Sequence, residues 1–115
     1  MDLINNKDLR ALMGVKKSQV VSLYMPTRRA GREKRQNPIL FKNLVKKAED
    51  QLLQAGIPEK ERQKFMKPAQ EILGIHSFWQ YQSDGLAVFL SSGLFLTYRF
   101  PERFEELVVV ARRFH

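Results

Sequence analysis

Arg28, Arg29, Arg32, Lys34 and Arg35 crowd into one short stretch whose only acid is Glu33, and the stretch runs into Asn37-Pro38. The Asn-Pro pair reads as a helix start, because an Asn side chain accepts from an orphan amide and Pro in the first turn gives up no donor the helix needs. The chemistry this predicts is anion recognition. Guanidinium groups offer paired donors that match phosphate oxygens, and the free amides of a helix start add a positive end. Lys42, Asn43 and Lys46 fall on the outward arc of the same helix and extend the patch. Tyr24, on the minority face of the preceding strand, is a candidate for stacking on a base.

The charge is localised. Lys16 to Lys47 holds ten Lys or Arg against one acid, whereas the remaining 83 residues hold ten basic and eleven acidic residues. A near-neutral domain with a basic arm makes a polyanion the first partner to consider. Other chemistries find less support. The chain has no cysteine, which excludes disulfides, thiolate metal sites and a cysteine nucleophile. His76 and His115 stand apart, with no acids at ligand spacing, so neither metal nor cofactor is expected. Ser83-Asp84 imitates a nucleophile and its partner, yet Asp84-Gly85 reads better as a turn entering a strand. With no glycine-rich phosphate loop, triad or paired-carboxylate spacing, the expectation is a noncatalytic domain. No run of about 18 apolar residues occurs, and Met1-Asp2-Leu3-Ile4-Asn5-Asn6 lacks the basic flank and apolar core of a signal peptide, so a cytoplasmic protein with no membrane partner is expected. The sequence leaves the oligomeric state open.

The elements that must position these residues follow from periodicity. At 115 residues, 43% hydrophobic and with eight Phe, the chain reads as a single domain, 1–115, with its own core. Asn5 or Asn6 caps a short helix to about Met13, with Leu9, Leu12 and Met13 as its apolar contacts and Gly14 ending it. Residues 19–25 alternate as a strand, Val21, Leu23 and Met25 on one face and Val20, Ser22 and Tyr24 on the other, until Pro26 removes an amide. Residues 27–36 form the arm. A helix over 37–55 places Leu40, Phe41, Leu44, Val45, Ala48, Leu52 and Ala55 within an arc of about 140°, and Gly56 closes it.

Ile57-Pro58 opens a second helix with Glu59 and Glu61 at its positive end. Pro68 predicts a kink or short break near Lys67, although Phe65, Met66, Ala69, Ile72 and Leu73 keep helical spacing. A helical turn over 77–82 carries Phe78, Trp79 and Tyr81, which either plug the end of a sheet or admit a base or a partner's side chain. Residues 85–90 and 94–100 read as a hairpin, 101–105 as a loop, and 107–111 as a strand buried on both sides. The fold class is therefore α+β: a four-stranded, largely antiparallel or mixed sheet covered by a helical hairpin, with a short N-terminal helix.

Four segments, taken together, resemble one family. They are Ser22-Leu23-Tyr24-Met25-Pro26-Thr27-Arg28-Arg29-Ala30-Gly31; Asn37-Pro38-Ile39-Leu40-Phe41-Lys42-Asn43-Leu44; Phe78-Trp79 through Gln82-Ser83-Asp84-Gly85-Leu86-Ala87 to Leu90; and Glu106-Leu107-Val108-Val109-Val110 to Phe114-His115. In order and spacing they are similar to the N-terminal domain of the bacterial proteins related to archaeal and eukaryotic class I peptide-chain release factors. The resemblance implies a decoding-side module whose partners are the ribosome, rRNA or tRNA. It also implies middle and C-terminal domains beyond the position of His115, the middle one carrying a Gly-Gly-Gln motif in the release factors; neither is present in this sequence, which leaves an excised domain or a shortened protein as the expectation.

Two departures stand out. The Asn-Ile-Lys-Ser loop that reads stop codons in the distant relatives aligns here with Asn37-Pro38-Ile39-Leu40, so only the Asn matches and decoding is not implied. The bacterial pattern tends to place His where this chain has Arg28, which keeps a polar cation and removes titration near neutral pH. The alternative reading is a docking module in which the basic arm meets an acidic surface on downstream domains of the same protein or on another chain.

Overall fold

The computed structural model describes residues 19–28, 35–91 and 94–111. The helix expected over 6–13 and the hairpin residues Ser92 and Gly93 lie outside them. β1 (Val20–Pro26) is the strand around which the sheet is organised. Its alternation gives it two apolar faces, so it takes a central place, antiparallel to β2 (Gly85–Ser91) on one side and to β4 (Leu107–Ala111) on the other. β3 (Leu94–Phe100) completes the hairpin with β2, and the order across the four-stranded antiparallel sheet is β3-β2-β1-β4. The α+β fold is the one the sequence pattern predicts.

The helices cover one face. α1 (Gln36–Gln54) buries Phe41, Leu44, Val45, Ala48 and Leu52, and α2 (Glu59–Ile72) buries Met66, Ala69 and Ile72. These meet Val21, Leu23 and Met25 of β1 and Leu86, Val88 and Leu90 of β2 in one core. Full burial of each of the larger side chains stabilises by roughly 1.5–3 kcal/mol. α1 ends at Ala55 and Gly56: the Gly56 amide donates to Leu53 O and the Ile57 amide to Leu52 O, the two bonds of a Schellman closure. Gly56 supplies the required left-handed residue at φ 83°. Ala55, expected on the apolar arc, is exposed at this end. Arg62 of α2 donates to Ile57 O and so fixes the connection between the helices.

Two expectations are corrected. Of the kink or short break expected near Lys67, the break does not occur, because Pro68 lies within a continuous helix. The carbonyl it leaves without a donor belongs to exposed Lys64, where water can serve it, and the fixed φ of proline is itself helical. β4 is an edge strand with Leu107 51% exposed, not one buried on both sides. The strand buried throughout is β2, each of whose residues is covered.

α3 (His76–Gln80) sends Trp79 into the core and sets Phe78 beside β3. Trp79 is buried against Phe41, with ring centroids 5.4 Å apart, and its indole nitrogen donates to Ile72 O at 2.9 Å. Phe78 meets Trp79 edge to face and lies under the Arg99 guanidinium, whose carbon is 5.1 Å from the ring centroid. The opposite sheet face carries a second cluster, Ala87, Phe89 and Tyr98 packed with Tyr24, Leu94, Leu96, Phe100 and Phe104.

Candidate nucleic-acid interface

Thr27 follows the proline that ends β1, and both of its donors are used. Its amide donates to Asp84 O at 3.0 Å and its hydroxyl to Ser83 O at 2.6 Å. The pair Ser83-Asp84 is thus a structural junction, with the Asp84 amide donating to Phe100 O. One residue further, the Arg28 amide donates to Asn37 Oδ1 at 2.9 Å and Asn37 Nδ2 donates to Arg28 O at 3.0 Å. An Asn side chain carries the same donor and acceptor pair as a peptide, so this arrangement imitates one rung of a sheet.

This geometry corrects the expected role of Asn37. The residue before α1 is Arg35, in αR conformation with no side-chain cap, and Asn37 sits inside the first turn. At 2% exposure, its side chain is engaged by Arg28 and is not offered to solvent or to a helix amide. The winning interaction is the one that satisfies two partly buried backbone groups at once, where a cap would satisfy one. Asn37 is a positioning residue. With Thr27 it fixes the two ends of the basic segment beside the start of α1.

Arg28 is half-buried at one end of this segment, and Arg35 is exposed at the other. Arg29, Arg32 and Lys34 lie outside the described residues. Along α1, Lys42, Asn43, Lys46 and Lys47 are all exposed. At 100° per residue, Arg35, Lys42 and Lys46 fall within about 40° of one another and span about 17 Å of helix. They form a straight row on the side facing away from the core. Among the described residues no carboxylate lies within ion-pair distance of Arg35, Lys42, Lys46 or Lys47, and the ion pair between described residues, Lys67 with Glu71 at 3.9 Å, belongs to α2. Glu49, on the flank of α1, is turned to α2, where Gln70 Nε2 donates to it at 2.6 Å. Ile39, 61% exposed, sits within the same row and gives it an apolar element.

Tyr24 is not brought to this row. It lies on the sheet face opposite the helices, edge to face with Phe89 and Phe104 at 5.9 and 5.8 Å. Burial raises its phenol above the ordinary value, a shift partly opposed by a hydrogen bond with Ser22. It lines a groove of about 490 Å³ together with Phe104, Leu107, Val109 and the acids Glu105 and Glu106. Acids at the rim make that groove a poor seat for a polyanion. Tyr24 and the basic row therefore lie on different sides of the molecule.

Sequence reasoning missed Thr27 and Lys47. A Thr directly after a strand-ending proline is a signal for the first, and the i+4, i+5 spacing from Lys42 is a signal for the second. It also missed Phe104, which covers Gly85 so closely that a β-carbon there would lie 2.8 Å from the Phe104 ring and collide with Glu102 O. No protein-family model and no curated protein matches this chain.

Proposed function

We propose that this domain is a noncatalytic module that binds RNA or the ribosome, the N-terminal unit of a release-factor-like protein acting in translation termination or ribosome rescue. The observation that carries the reading is the exposed row Arg35, Lys42 and Lys46, with Lys47 beside it, unneutralised among the described residues. Cations held in a row on a rigid helix release counterions from a nucleic-acid backbone on contact, and need no base-specific geometry to do so. The anchors at Thr27 and Asn37 add to this by tying the arm to the start of the same helix. The resemblance in segment order supplies the ribosomal context.

The test is the salt dependence of binding to a short single-stranded RNA and to ribosomes. With four to six phosphates engaged, log affinity falls against log salt with a slope of roughly −3 to −5. Joint replacement of Arg35, Lys42, Lys46 and Lys47 by Gln reduces the magnitude of that slope by about one for each phosphate no longer engaged. An unchanged slope in this variant overturns the reading.

The second reading, a protein-docking or intramolecular docking domain, is favoured by one observation. Between α2 and β3 an open groove is lined by Ile75, Phe78, Phe95, Glu71 and Arg99, and Ile75 is well exposed. Trp79, being buried, contributes nothing to such a surface. Recovery of a protein partner after nuclease treatment, lost on Ile75→Asp, supports this reading in place of the first.

A further inference from the structure

All but one of the aromatic side chains among the described residues are buried or half-buried, and the exception is Tyr81. It is 69% exposed, and among the described residues no hydrogen bond or ring contact engages it. The backbone on either side is nonetheless fixed. Two residues before it, Trp79 is buried against Phe41 and donates to Ile72 O at 2.9 Å. The next residue, Gln82, is also buried, and its Nε2 donates to Phe78 O at 2.7 Å. Tyr81 ends α3 in extended backbone between these two anchors, with φ −121° and ψ 96°. A tyrosine has two χ angles to fix, so a contact made from an anchored backbone costs little ordering entropy.

Its place in the fold sets it at the end of the molecule where α1 begins. Two residues after Tyr81, the Ser83 carbonyl accepts from the Thr27 hydroxyl. Arg28 follows, and its peptide is held by Asn37 in the first turn of α1. A second tie is Trp79, whose ring meets Phe41 of the same helix. Through Trp79, α3 belongs to the helical layer, whereas Tyr24 and the acids Glu105 and Glu106 line the groove on the other face of the sheet.

We propose that Tyr81 is a base-stacking residue, and that the RNA this domain takes is single-stranded where it passes the start of α1. Phosphates follow Lys46, Lys42 and Arg35, and an unpaired base beyond Arg35 lies against the Tyr81 ring. This rests on the RNA-binding reading above and names the class of RNA. Every base has a π-face, so the stack adds affinity with little sequence preference. In a duplex those faces are covered by neighbouring bases, and the ring has nothing to meet.

The test compares three RNAs: a short oligouridylate, an abasic strand with the same number of phosphates, and a hairpin duplex. Tyr81→Ala is expected to weaken oligouridylate binding about 5- to 150-fold. The salt slope stays unchanged, because no phosphate contact is removed. Tyr81→Phe keeps the ring and binds like the parent. The abasic strand and the duplex bind the parent and Tyr81→Ala equally, and unchanged far-UV circular dichroism shows that the variants remain folded. A parent that binds oligouridylate with the expected salt slope and is matched by Tyr81→Ala overturns the stacking alone. An equal loss on the abasic strand, or a Tyr81→Phe variant as weak as Tyr81→Ala, does the same. A parent that binds none of the three RNAs overturns the RNA-binding reading, and the stacking with it.

Discussion

Asn37 grips the peptide of Arg28 from the first turn of α1, accepting from its amide at 2.9 Å and donating to its carbonyl at 3.0 Å. Since both bonds are partly buried, loss of the side chain removes two hydrogen bonds where water replaces them poorly. Asn37→Ala is expected to lower stability by about 2–3 kcal/mol, read as a shift in the urea midpoint. Asn37→Asp keeps the acceptor for the Arg28 amide but buries a carboxylate whose second oxygen opposes the Arg28 carbonyl, so its cost is at least as large. An Ala variant as stable as the parent would remove the basis for calling this contact an anchor.

A related expectation separates the basic row from general basicity. α2 also carries exposed Lys60 and Lys64, flanked by Glu59 and Glu61 much as Lys46 is followed by Glu49 and Asp50, but they lie on a different helix from the row. Joint Lys60→Gln and Lys64→Gln changes net charge by as much as joint Lys42→Gln and Lys46→Gln. Only the second pair is expected to reduce the salt slope of RNA binding, by about two. Equal effects from the two pairs would mean that the whole charge, and not the row, governs binding.

Gly85 is expected to resist substitution although its backbone is not in the left-handed region. A β-carbon there runs into Glu102 O and the Phe104 ring, and the loop cannot retreat without uncovering Tyr24 and Phe100. Gly85→Ala should cost about 1–3 kcal/mol by overpacking, measured by denaturant unfolding. Combination with Phe104→Ala, which removes the ring but not the carbonyl, recovers only part of this.

Tyr24 sets an alkaline limit. Its neutral phenol is favoured in the folded chain by burial, so the unfolded chain ionises first as pH rises. Its contribution is complete below the ordinary phenol value and is lost progressively as pH climbs from there toward the folded one. Thermal unfolding followed from about pH 9 to about pH 11 should fall more steeply for the parent than for Tyr24→Phe. Parallel curves for the two proteins would contradict the shift.

The order of elements and the inward faces of α1 and β1 were legible because they depend on spacing alone: Phe41, Leu44, Val45, Ala48 and Leu52 keep a helical period, and Val21, Leu23 and Met25 a period of two. What was not legible depends on neighbours remote in sequence. A run such as Leu107 to Ala111 is equally consistent with a central or an edge strand, and only the sheet order places it at the edge. Asn37 before Pro38 satisfies every local rule for a cap, yet the Arg28 peptide, brought close by the turn out of β1, takes the side chain instead. For the site, the outward residues of α1 could be read from the helical wheel. The separation of Tyr24 from them could not, because it follows from which face of the sheet the helices choose.

The central position of β1 has a consequence for how the chain comes to be folded. Val21 finds its neighbours in Leu90 and Val110, so β1 must wait for strands made much later before either of its own ladders can close. During synthesis, the helical hairpin can form by short-range contacts while β1 remains a bare oily ribbon beside it. Late, long-loop closure of this kind slows assembly and prolongs the interval in which a nascent polypeptide is vulnerable to clumping.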